Sequence, residues 1–212
     1  MNAVFVKSYA APPVNMREIL RYSGCRGENA EILALAEECL KEAGGKLTYK
    51  VCYRHFAAEE MLDLFGADLK KILCGCDTAV LFAATTGLGI DRLISRYSAS
   101  SPSKALMLQA IGAERIEALC DTFNAEITAE AAKKNLFTRR RFSPGYGSFP
   151  LSAQETVFSL LDCPRKIGLT LNKSLVMSPT KSVTAVIGIS DSPSQSGDKC
   201  RYCAKSDCEF RQ

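Results

Sequence analysis

The run "TAVLFAA", Thr78 to Ala84, is apolar at every position after its first. Such a strand suits burial on both faces, which places it in the middle of a sheet with further layers above and below. The same run is far shorter than the roughly twenty residues a membrane-spanning helix requires. Upstream, "KLTYKVCY" alternates Leu47, Tyr49 and Val51 against polar partners, the pattern of a half-buried strand. Downstream of Pro164, "KIGLTL" and "SVTAVIGI" are each read as strands of period two, separated by a loop holding Met177 and Pro179.

Between the strand candidates lie helical patterns. In Asn29 to Ala43 the residues Ile32, Leu33, Ala36, Cys39, Leu40 and Ala43 share one face, and the Gly44-Gly45 pair ends the helix. From Ser103 to about Asn135 the positions Leu106, Ala110, Leu119, Phe123 and Ile127 recur mostly at helical spacing, as one long helix or two joined ones. "SAQE", Ser152 to Glu155, has capping-box spacing, so a helix should start after Leu151, reach Leu161 and be stopped by Pro164. Strands and helices mix without strict alternation, and no internal repeat is visible.

With 212 residues, 47% of them apolar, the chain can bury one substantial core. Residues 1–189 read as that globular body. Residues 190–212 read as a flexible linker, "SDSPSQSGDK", followed by a cysteine-rich tail. A net charge of +4, scattered along the chain, does not make a nucleic-acid surface. Without a signal peptide or a membrane span, the expected location is the cytoplasm. There the ten cysteines are thiols or metal ligands rather than a disulfide framework.

Chemistry concentrates in "RRRFSPGYGSFPL", Arg139 to Leu151. It joins guanidinium groups to a turn whose glycines let backbone approach a ligand, and to a tyrosine with a ring face and a hydroxyl. An anionic, partly flat ligand would suit it. The plainer reading of the same residues is a tight turn beside a solvated helix end.

The extended segment "RRRFSPGYGSFPLSAQETVF" resembles the signature of the activation domain of cobalamin-dependent methionine synthase, with an arginine five residues before the tyrosine of Pro-Gly-Tyr. "EILRYSGCRG", "LFAATTGLGIDRLISRY" and "LTLNKSLVMSPTKSVTAVIGI" resemble the same family, in the same order, and especially its stand-alone members. The resemblance implies an α+β fold with a twisted, largely antiparallel mixed sheet flanked by helices. It also implies binding of S-adenosylmethionine, presented to cobalamin on another domain so that methyl transfer traps the one-electron reduction of cob(II)alamin.

Carried over by residue, it makes Arg141 the partner of the ligand carboxylate and puts Tyr146 beside the ligand. Ser143, Pro144 and Gly145 form the loop whose backbone meets the ligand, and Asn15 stands where the synthases carry an aspartate for the ligand's amino group. An amide supplies no counter-charge, so Glu18 or another acid would have to substitute. The chain has no cobalamin domain among these motifs. The implied partner is therefore a separate cobalamin-binding methionine synthase or corrinoid methyltransferase, and this chain is a component of that activity rather than a complete enzyme.

Other features leave a second reading open. Cys200, Cys203 and Cys208 follow a C-x2-C-x4-C spacing that could hold a metal or an iron–sulfur cluster, as in an electron-transfer or regulatory protein. A fourth ligand is missing, and Cys25, Cys74, Cys76, Cys120 and Cys163 are candidates to supply it. "CGC", Cys74 to Cys76, reads otherwise as small buried residues beside a strand. "ATTGLGIDR" follows a strand and opens a helix but lacks a full phosphate-binding glycine fingerprint, although Thr85, Thr86 and Asp91 could line a pocket. His55, the sole histidine, reads as a surface or capping residue, and the acid pairs Glu37-Glu38 and Glu59-Glu60 read as solvated.

Overall fold

The computed structural model describes residues 3–25, 29–70 and 72–193. In chain order the elements are β1 (Phe5–Tyr9), α1 (Met16–Tyr22), α2 (Ala30–Gly44), β2 (Tyr49–Ala57) and α3 (Ala58–Phe65). A 3-10 turn, β3 (Thr78–Thr85), α4 (Gly89–Ser100), α5 (Pro102–Ala132) and β4 (Phe137–Thr138) follow. The chain continues with α6 (Ala153–Leu161), α7 (Cys163–Ile167), β5 (Thr170–Leu171), β6 (Met177–Ser178) and β7 (Ser182–Ser190).

As its apolar run requires, β3 lies at the centre of a five-stranded sheet of order β1-β2-β3-β7-β4, and every pairing in it is antiparallel. Alternation divides its side chains between two cores. Val80, Phe82 and Ala84 face α5 with Leu119, Phe123 and Ile127. Ala79, Leu81 and Ala83 face the layer of α3, α6 and α7, with Met61, Val157 and Leu161. Strand β2 departs from the half-buried expectation: Tyr49, Val51 and Tyr53 enter the first core while Cys52 and Phe56 enter the second. Its neighbour β1, which the sequence pattern had not marked, covers its outer edge and moves it to the interior.

Helix α2 forms as its periodicity demands, with the Asn29 Oδ1 accepting from Glu31 N at 2.8 Å. The long pattern is one helix, α5, of 31 residues. It is buried along two stripes because its C-terminal half packs on the sheet, while Met107, Leu108, Ala110 and Ile111 pack with α1, α2 and α4 residues such as Ile19, Ala36 and Ile90.

Three local expectations are corrected. No capping box forms at "SAQE": Ser152 is already helical (φ −60, ψ −22) and its side chain makes no cap bond. The turn starts earlier, with Ala153 N, Gln154 N and Glu155 N donating to the carbonyls of Pro150, Leu151 and Ser152. Helix α6 does stop at Leu161, but Asp162 in the left-handed region ends it. Pro164 sits in the first turn of α7, where its missing N–H costs nothing. "KIGLTL" is mostly helix end and turn; only Thr170 and Leu171 are strand, and they pair with Met177 and Ser178 in a separate hairpin. That segment does not extend the main sheet.

Candidate functional site

The arginine-rich stretch leaves α5 as an edge strand along β7, and the register of that pairing slips. Thr138 is opposite Ile189, yet Phe142 bridges Val186, so four steps on one side match three on the other. The extra residue is a β-bulge, which re-aims side chains that simple alternation would send to one face. Arg139 lies against Gly188 and Cys76 on one side of the sheet. Arg141 instead reaches α5, donating from Nη1 to Asp121 Oδ1 at 2.5 Å and from Nη2 to Glu117 Oε2 at 2.6 Å. Burial works against its charge, but the bond to Asp121, with the charges of Asp121 and Glu117, holds the guanidinium pKa above its usual range.

Beyond Arg141 the loop folds on itself: Tyr146 N donates to Ser143 O, Phe149 N to Tyr146 O, and Gly145 N to Phe149 O. Ser143 is half-buried, Pro144 buried and Gly145 exposed. Phe149 anchors the loop, 1% exposed and edge-on to Phe65. Gly145 has φ +93, and a Cβ there would stand 3.3 Å from Leu151, so the turn needs glycine for both conformation and space. Tyr146 projects outward and is 68% exposed.

A row of acids on α5, which sequence reading had passed over, completes the surroundings. Glu114, Glu117 and Asp121 fall at i, i+3 and i+7, on one side of the helix and spanning about 10 Å. Their signal was present in "AERIEALCD", but helical spacing alone does not tell which solvated-looking acids face a cationic partner. Glu114 and Arg115 are both buried, paired to each other. Arg115 also donates to the Pro12 and Pro13 carbonyls, and Glu114 Oε1 accepts from Asn15 N at 2.9 Å. This network docks the N-terminal arm on α5 and brings Asn15 to the same helix side as Arg141.

The Asn15 side chain itself caps α1, accepting from Glu18 N at 3.3 Å. Glu18, the suggested substitute acid, is held by Arg21. The acids next to Arg141 are therefore Glu117 and Asp121. Tyr22 flanks them: its phenol is pushed up by burial and then by the Glu117 charge.

The remaining candidates are satisfied internally. Thr85 Oγ1 takes bonds from Gly87 N and Ser182 Oγ, while Asp91 takes both the Thr180 N–H and hydroxyl. Gly87 and Gly89 give room for the approach of Thr48 and Lys46, so this turn packs against its own chain. His55 is exposed, as its reading required. Cavities of about 360 and 390 Å³ lie elsewhere, against the α5–β4 junction and beside β1 and β2; neither is lined by Arg141 or its loop. Among the described residues no cluster of three or more His, Cys, Asp or Glu could hold a metal. The C-x2-C-x4-C residues Cys200, Cys203 and Cys208 lie outside the described residues. No helix among the described residues is long and apolar enough to cross a membrane.

The fold is shared with a solved structure, described as the crystal structure of the MetH reactivation domain bound to AdoHcy. The match has a TM-score of 0.61 at 17% identity and covers 88% of this chain and 78% of that one. No curated protein sequence matches the chain. Residues 68–196 match the family described as vitamin B12 dependent methionine synthase, activation domain, a span that includes β3, α5 and the Arg141 loop. The chain belongs to the activation-domain family of vitamin B12-dependent methionine synthase.

Proposed function

We propose that this protein binds S-adenosylmethionine at the junction of α5, the Arg141 bulge and the Ser143–Tyr146 loop, in support of reductive methylation of cobalamin carried by a separate methionine synthase or corrinoid protein. One observation carries the ligand class. Arg141 contributes one positive charge and the Glu117 and Asp121 carboxylates beside it contribute two negative ones. The local excess of one negative charge complements S-adenosylmethionine, whose sulfonium and ammonium outweigh its carboxylate by one.

In this reading the Arg141 fork grips the carboxylate in a bidentate pair. Glu117 and Asp121 turn toward the ammonium, supplying the counter-charge that Asn15 lacks. Backbone from Ser143 through Gly145 lies along the ligand, Pro144 stiffens the turn, and the Tyr146 ring closes over an exposed edge. These residues orient the sulfonium methyl and exclude water from it; no residue of this chain attacks. Cobalamin, when docked on its own protein, supplies the metal-centred nucleophile that accepts the methyl group. In this reading residues 1–189 form the ligand-binding body.

The family membership, and the AdoHcy bound to the reactivation domain that shares this fold, support this reading. Calorimetric titration of the protein with S-adenosylmethionine tests it. One site per chain is expected, and absence of saturable binding overturns the proposal.

A further inference from the structure

The Cys74-Gly75-Cys76 turn takes no part in the site just described, and its surroundings differ from those of the other thiols. Cys52 and Cys163 approach to 4.0 Å, but both are wholly buried, and their mutual contact together with burial pushes the Cys163 thiol up. They are shielded from any reagent. Cys74, by contrast, is exposed, and Cys76 is half-buried two residues on. Gly75 between them has φ +69, a conformation L side chains rarely adopt, which turns the chain between the two cysteines.

The turn is built onto the sheet. Cys76 N donates to Leu73 O at 2.9 Å and Asp77 N to Ile189 O at 3.1 Å. A Cβ on Gly188 would stand 2.6 Å from Cys76 Sγ and 3.2 Å from Arg139 Cγ, so the missing side chain makes the slot in which sulfur and arginine meet. Burial pushes the Cys76 thiol up, and the Arg139 hydrogen bond opposes that shift. Arg139 is thus placed to meet negative charge on the Cys76 sulfur, while Cys74 is the thiol that solvent reaches.

We propose that Cys74 and Cys76 form a redox-active dithiol whose substrate is a low-molecular-weight disulfide. The Cys74 thiolate attacks one sulfur of the substrate; its S–S bond breaks, and one thiolate leaves and takes up the proton Cys74 released. Cys76 then attacks Cys74 Sγ, losing its proton to solvent and expelling the second thiolate. The two cysteines are oxidised by two electrons to a disulfide, and the substrate is reduced to two thiols. In the reverse direction an external thiol attacks Cys74, and the departing Cys76 sulfur is met by the Arg139 guanidinium. This proposal is independent of S-adenosylmethionine binding.

The test treats fully reduced, full-length protein with glutathione disulfide under anaerobic conditions, alkylates the remaining thiols and locates each modification by peptide mass spectrometry. Wild type should yield a Cys74–Cys76 disulfide with little retained glutathione. Cys76→Ser and Cys76→Ala should each trap glutathione on Cys74, at least about tenfold above wild type, because resolution is lost. Cys74→Ser should leave Cys76 at least about tenfold slower to react than Cys74 is in wild type. Stable glutathione on Cys74 of the wild type overturns the proposal. So does recovery of both thiols alkylated, or a disulfide joining either of them to another cysteine.

Discussion

Replacing Arg141 by alanine isolates the group on which the proposed recognition of S-adenosylmethionine rests. Its side chain is 20% exposed, so its charge acts in a largely desolvated setting, and a ligand carboxylate would bind there as a charge-assisted pair. Truncating one partner of such a pair typically costs about 2–5 kcal/mol, and the residual exposure argues for the lower end. About 2 kcal/mol corresponds to roughly a thirtyfold loss of affinity. Arg139→Ala is the matched control because the bulge sends that side chain to Cys76 and Gly188, away from α5. It should change affinity by less than about fivefold, the scale of a solvated charge. The fold should survive both changes, since the bulge is held by backbone bonds, Arg139 N to Gly188 O at 2.7 Å and Phe142 N to Val186 O at 2.9 Å. Lysine at 141 should rescue only in part, lacking the planar fork. Calorimetric titration with S-adenosylmethionine, with circular dichroism as the fold control, decides the matter. Equal losses from both alanine variants would mean diffuse positive charge, and wild-type affinity in Arg141→Ala would refute the assignment outright.

Glu117→Gln should weaken S-adenosylmethionine binding by about tenfold and Asp121→Asn by less than about threefold, because the Glu117 side chain is 44% exposed against 71% for Asp121; the same titration reads both. Phe123→Ala should cost about 3–5 kcal/mol in denaturant unfolding, since its ring is wholly buried between Tyr53 and Phe82 at centroid distances of 5.1 and 4.9 Å. Glu126 ties β1 to α5 through Lys7 and through Tyr9 Oη at 2.6 Å. Burial works to raise its pKa, but those two bonds outweigh it and hold the carboxyl below its ordinary value. A folded-state pKa below the unfolded one gives stability that is present above about pH 4.3 and lost as pH falls through the folded value. Glu126→Gln should therefore flatten part of the acid limb of a stability-versus-pH curve, and an unchanged limb would count against the contact.

The sequence by itself determined the elements whose pattern is local. The unbroken apolar run of β3 could be satisfied only at the centre of a covered sheet, and the helical periodicity of α2 and α5 is written locally in the chain. The spacing from Arg141 to Tyr146 likewise marked the loop that the family match includes. What depended on distant neighbours was not legible. β2 reads as half-polar along the chain, yet β1 and two cores enclose it. "SAQE" has the right letters, but Ser152 is already helical and Glu155 N, the donor its side chain would cap, bonds the Ser152 carbonyl instead. Asn15 is spent on capping α1, and the acids beside Arg141 come from the middle of α5. The face to which Arg141 points was decided by tertiary structure alone. A one-residue bulge reverses side-chain direction, and that slip is fixed by pairing with β7 and by the packing of Phe142, neither of which leaves a period in the sequence.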